Sequence, residues 1–271
     1  MQFSRYALNS SLFVAVLPVR MPRTLTFPAY AGLVVNWFWR KGARVDAPRL
    51  RPRSAENATT KVDLAELTPD VATFLGRAAY LQLSIFENLS RAVATAPTTE
   101  AKAAITTAAS LSLAKHQGLT AEIARHGLEV SATMDPNRLA IDGFQRVTQG
   151  SDWYESLASC YVTAGFLDDF FMRLAAGLPG ETATRVTAIM GLESGEKLMG
   201  AQLLAAIEAN PRLSSRLALW GRRLVGDTML VARSALALSE NHATDEARIE
   251  PVFTELIAAH TRRMDALGLT A

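Results

Sequence analysis

From Asp63 onward the chain repeats one pattern: apolar residues three and four apart, in long runs closed by proline, glycine or a small polar residue. That spacing stacks side chains on one face of an α-helix. No stretch alternates apolar and polar with period two for long enough to argue for a sheet. Alanine, leucine and arginine are abundant and aromatics make up only 7% of the residues, which favours helices further. With 271 residues, 49% of them hydrophobic, the chain can bury a substantial core.

The punctuation divides this region into helices. Thr68-Pro69 reads as an N-cap and first position, with a helix to about Ala94. A second runs from about Thr99 to His126, where Gly127 suits a left-handed C-terminal position. Asp135-Pro136 opens a short helix ending near Gly150. Ser151 caps a third long helix, 152–176. The fourth runs continuously from about Glu181 to Ala209. Asn210-Pro211 starts a fifth, to about Ser239, and Pro251 starts a sixth, to about Leu267. This predicts an all-α fold, a four-helix bundle with two additional C-terminal helices, over residues 63–271.

Residues 1–62 differ. They carry ten Lys and Arg against Asp46 and Glu56, a net charge of +8, while the remainder carries 18 basic and 24 acidic residues, a net −6. The arm is expected to be a basic, disordered, solvated segment. Its charge is compatible with contact to tRNA or to anionic lipid. Residues 7–19 weakly imitate a signal-peptide core, but Arg20 and Arg23 follow and no cleavage site is convincing. A true start near Val34 or Val35 would leave residues 1–33 outside the protein. No apolar run reaches 18 residues, so no membrane span is expected. The single cysteine, Cys160, excludes an intramolecular disulfide and fits a cytoplasmic setting. A homo-oligomer is compatible with the sequence.

The inward stripes carry a few polar residues. The fourth helix has Val186, Ile189, Met190, Glu193, Glu196, Gly200, Leu203 and Ile207, so both glutamates are expected to face the core. Gln82 is the polar member of the first helix. Ser112 and Lys115 or His116 belong to the second, and Asp168 to the third. A di-metal centre in such a bundle needs about six ligands, chiefly Glu, with Glu-x-x-His on two helices. The chain offers at most three carboxylates and one histidine, and Lys115 would repel metal. If Lys115 points into this centre, it pairs with Glu193 and Glu196 in place of the metals; the two glutamates read equally as a relic site or as a salt-bridged core pair. His116 taken alone reads as a structural histidine, and Gln82 as a hydrogen-bonded core amide. No catalytic residue is assigned and no cofactor is expected. If a metal did bind, it would be iron held by Glu193, Glu196, Asp168 and His116.

The lead-in Val62 to Pro69, Ala79-Tyr80 through Phe86-Glu87, Ser151-Asp152-Trp153, Tyr161-Val162, Asp169-Phe170, Leu217 to Gly226 and His260 to Met264 carry a resemblance. Over roughly residues 60–270 the chain resembles the actinobacterial ferritin-like proteins grouped with the tRNA hydroxylase that acts on 2-methylthio-isopentenyl-adenosine. The resemblance implies a ferritin-like bundle and, in intact members, a non-haem di-iron centre using oxygen. The departures fall on the ligands. Leu81-Gln82 stands for Gly-Glu, Ser112-Leu113-Ala114-Lys115 for Glu-x-Gly-His, Thr163-Ala164 for Gly-Asp, and Glu193-Ser194-Gly195-Glu196 for Glu-Thr-Gly-His. The reading is a bundle with a degenerate di-iron site and a structural or interaction role. The alternative is a metal-dependent oxygenase or tRNA hydroxylase with a rearranged site.

Overall fold

The computed structural model describes residues 64–239 and 242–269. The basic arm, the expected disorder of residues 1–62 and the question of the true start lie outside the described residues.

A single 3-10 turn, Leu64–Leu67, leads into α1 (Val71–Ala94), α2 (Thr99–Arg125), α3 (Val130–Val147), α4 (Trp153–Ala175), α5 (Gly180–Met190), α6 (Glu196–Ala209), α7 (Arg212–Ser234) and α8 (His242–Ala266). Among the described residues every element is helical, as the spacing requires. The four-residue connection between α1 and α2 makes them antiparallel neighbours. These two pack against α4 and the α5–α6 pair to form the bundle. α3 lies on α1, while α7 and α8 cover the outer side of α4.

α4 is the axis of the bundle. From Leu157 to Asp168 every residue is buried, as expected of a helix packed on all sides. Phe170 and Phe171 meet edge-to-face. Phe171 also packs against Phe74 of α1, and Phe166 and Phe170 against Phe253 of α8. Such pairs contribute about 0.5–1.5 kcal/mol beyond the area they bury. Leu67 and Leu269 belong to the same core cluster, so both ends of the described region are packed into it.

Several helix boundaries depart from the sequence expectations. Asp70, not Thr68, caps α1 through the Thr73 amide, which frees the Thr68 hydroxyl to donate to Leu174 O at 2.9 Å. α3 starts five residues before Asp135, because the Glu129 carboxylate caps the amides of Ser131 and Ala132. Val130 and Met134 then pack on the core, and Pro136 sits inside the helix. Asp152 rather than Ser151 caps α4. α7 ends at Ser234. α8 begins before Pro251 and contains it.

The largest departure is in the expected fourth helix. It is two helices, separated by Gly191 to Gly195. Gly195 has φ +73°, and a Cβ there would lie 2.6 Å from the Ala108 Cβ. α2 approaches so closely at this point that only glycine fits. No described helix is long and apolar enough to cross a membrane.

Candidate functional site

Three polar side chains meet in the middle of the bundle, one from each of three helices. Gln82 on α1 donates from Nε2 to Asp168 Oδ1 on α4 at 2.7 Å. Lys115 on α2 donates from Nζ to Asp168 Oδ2 at 2.6 Å. Lys115 is 1% exposed, Gln82 1% and Asp168 8%. Each residue replaces an apolar side chain at a stripe position, so helical periodicity turns all three inward. Both carboxylate oxygens are thereby engaged, as burial of a charge demands. Burial pushes the Asp168 carboxyl up, against the opposing pull of the Lys115 ammonium and the hydrogen bonds from Lys115 and Gln82. Ser112, one turn before Lys115, is also buried.

The remaining expected members are elsewhere. Glu193 lies exposed in the break between α5 and α6, so it does not face the core. The reason is the break itself, which ends the stripe before Glu193 is reached. Lys115 consequently pairs with Asp168, not with the two glutamates. His116, one residue on from Lys115, points along α1 and donates from Nδ1 to Ala79 O at 2.9 Å. Among the described residues, no three His, Cys, Asp or Glu side chains gather so as to hold a metal ion.

Glu196 belongs to a second cluster. Arg263 on α8 donates from Nε to Glu196 Oε2 at 2.9 Å and from Nη2 to Asp169 Oδ2 at 2.6 Å. It ties α8 to α4 and α6. Gly165 makes the crossing possible, since a Cβ there would lie 2.6 Å from Arg263 Nε. The Tyr161 hydroxyl donates to Arg263 O at 3.1 Å, and burial together with the Glu196 charge pushes that phenol up to about 12. Beside it His260, one turn earlier on α8, is 2% exposed. Both of its ring nitrogens and Arg263 Nη1 are buried, with no hydrogen-bond partner among the described residues. The signal that would have found the pair is the face shared by Leu256, His260, Arg263 and Leu267.

A third cluster fastens α2 to α5. Glu122 is buried and accepts from Arg185 Nη2 at 2.8 Å and from Arg125 Nε at 3.2 Å. The Arg185 bond holds the Glu122 carboxyl below the usual carboxylate range. His126 Nε2 is 3.4 Å from the same carboxylate.

Residues 66–244 match the model of the family described as Ferritin-like domain, actinomycetes. No curated protein matches the chain. The match covers most of the chain, which therefore belongs to this family, and the all-helical bundle is the fold it implies.

Proposed function

We propose that this actinomycete ferritin-like protein is a bundle whose di-metal centre has been replaced by the Gln82–Asp168–Lys115 cluster, leaving a structural or interaction role. The observation that carries the reading is the Lys115 ammonium, buried 2.6 Å from the one carboxylate at the centre. A di-metal centre needs several carboxylates and two imidazoles. Here one carboxylate is shared by an amide and an ammonium, and the nearest imidazole is turned to a backbone carbonyl. A fixed positive charge stands where cations would sit, so the donor set does not fit a metal pair and no reaction step is derived through one. Kinship with the tRNA hydroxylases belongs to the same proposal. It rests on the sequence resemblance and on the ferritin-like domain.

Metal analysis tests this. The full chain, produced with iron, manganese or zinc in the medium and dialysed, is expected to carry no stoichiometric metal. About two ions per chain, the number a di-metal bundle holds, would overturn the proposal. Spectroscopy of the iron-grown protein adds a second readout, since a carboxylate-bridged iron pair absorbs where the apoprotein does not.

A further inference from the structure

Away from the polar centre, the C-terminal half of α1, the end of α3 and the start of α4 enclose a cavity of about 670 Å³. A second hollow of about 420 Å³ shares Asn88, Arg91, Gln145 and Gln149 with it, so the two form one groove. The larger volume falls within the roughly 300–1,000 Å³ of small-molecule sites.

The space exists because the α4 face toward it carries small side chains. Ser156, Ser159, Cys160 and Thr163 lie three and four apart, and α1 adds Ile85 and Ala92. The polar groups on this floor are largely engaged within the protein. The Thr163 hydroxyl donates to Ser159 O at 2.6 Å, and Ser159 Oγ accepts from Trp220 Nε1 at 2.9 Å. Thr148 at the wall donates to Phe144 O at 2.8 Å. The floor therefore presents methyl, methylene and thiol surface more than free donors.

Charge is concentrated at the mouth. Asp152 is compensated twice, as the cap of α4 through the Glu155 amide and by Arg216 at 2.5 Å. Among the described residues, Arg91 is the only basic one on the lining of the larger hollow. Its acidic partner among the described residues, Glu87, is 3.5 Å away, and both side chains are more than half exposed. Such an exposed pair contributes at most about 1 kcal/mol and exchanges readily with a better partner. Asn88 accepts from Arg91 Nη1 at 2.6 Å and so orients the guanidinium. The guanidinium's field reaches the floor, where it opposes the burial that pushes the Cys160 thiol up to about 12.

We propose that this groove binds a small organic monoanion with an apolar body, of the aryl or medium-chain carboxylate class, its carboxylate on Arg91 and its hydrocarbon over Ile85, Ala92 and Cys160. In the larger hollow, where Asp152 is already paired, a cationic ligand would face Arg91; Glu87, Asp142 and Arg146 line the second hollow. A strongly polar neutral one would find the Ser159 and Thr163 hydroxyls already bonded. The site is independent of the reading of the bundle centre and of metal.

Equilibrium dialysis of the full chain against 2-naphthoate, with 2-acetylnaphthalene as the uncharged counterpart, tests the assignment. The wild type is expected to bind naphthoate at one site per chain, with octanoate competing. Arg91→Gln should weaken naphthoate about tenfold or more, as loss of a charge-assisted bond implies, while leaving acetylnaphthalene within about twofold. Ser156→Leu, which fills the floor, should remove both. Cys160 is the only cysteine in the chain, so its reaction with methyl methanethiosulfonate should slow when naphthoate is bound. Naphthoate binding unchanged in Arg91→Gln, or absent from the wild type at millimolar concentration, would overturn the proposal. So would Cys160 reacting at the same rate with and without naphthoate. Arg91 is exposed, so its variant decides the matter even if Ser156→Leu fails to fold.

Discussion

Lys115 has nowhere to put its charge except on Asp168. Removing one partner of a buried pair strands the other, which costs about 3–5 kcal/mol. Lys115→Ala should therefore lose that much in urea unfolding, and a loss below about 1 kcal/mol would mean that the ammonium is solvated. Replacing the whole group is a different matter. Gln82→Leu, Lys115→Met and Asp168→Leu together should leave stability within about 2 kcal/mol of wild type or raise it, because no desolvated charge remains. The contrast separates what the pair contributes from what its disruption costs. All three residues were legible as polar interruptions of inward stripes. Their partnership was not, because face periodicity says which way a side chain points but not which neighbour it reaches. Lysine's long stem carried Lys115 to α4, whereas the sequence reading of an inward Lys115 paired it with Glu193 and Glu196.

At the level of the helix, the gap between α5 and α6 decides where those glutamates go. Apolar residues on either side of Gly191 to Gly195 keep helical spacing, so the sequence shows one long helix. The cause of the break is tertiary: Gly195 in the left-handed region, pressed on Ala108. Gly195→Ala should destabilise by about 1–2 kcal/mol from the backbone and a further 1–3 kcal/mol or so from overpacking. Gly226, in the interior of α7, has none of the described residues within 4 Å of where a Cβ would stand. Gly226→Ala should raise stability by about 0.4–1 kcal/mol, chiefly by restricting the unfolded chain. Denaturant midpoints of the two variants, measured side by side, should move in opposite directions. Equal shifts would mean that α2 does not crowd Gly195. The other misplaced ends share one origin. Pro136 and Pro251 read as helix starts, yet the Glu129 cap at α3 and the burial of Asp245 and Ile249 in α8 extend the helices upstream through both prolines.

Across the whole molecule, the four-helix layout and the two covering helices followed from periodicity and breakers alone, since each long run buries its apolar stripe in one common core. The ionic clamps that join the helices were not visible, because they link residues far apart in sequence, and they set how the fold responds to acid. Burial and the nearby Arg263 charge hold His260 below the ordinary histidine range. A base whose folded value is depressed takes up protons more readily when unfolded, so stability falls as pH drops from about 6.5 toward the folded value. Arg185 holds Glu122 below the usual range. That contribution is present above the unfolded carboxylate value, about 4.3, and is lost as pH falls through the folded one. The two effects have the same sign and different windows. Melting temperature should thus decline from pH 7 to 5 on account of His260, then more steeply below pH 4.5 as Glu122 is protonated. His260→Leu removes two buried nitrogens that have no hydrogen-bond partner among the described residues and should flatten the upper limb without lowering stability at pH 7. Glu122→Gln should flatten the lower limb and lower stability at pH 7, because Arg185 then loses its buried carboxylate and keeps only the exposed Glu181. A His260→Leu protein that still loses stability between pH 7 and 5 as the wild type does would place the upper limb on another group.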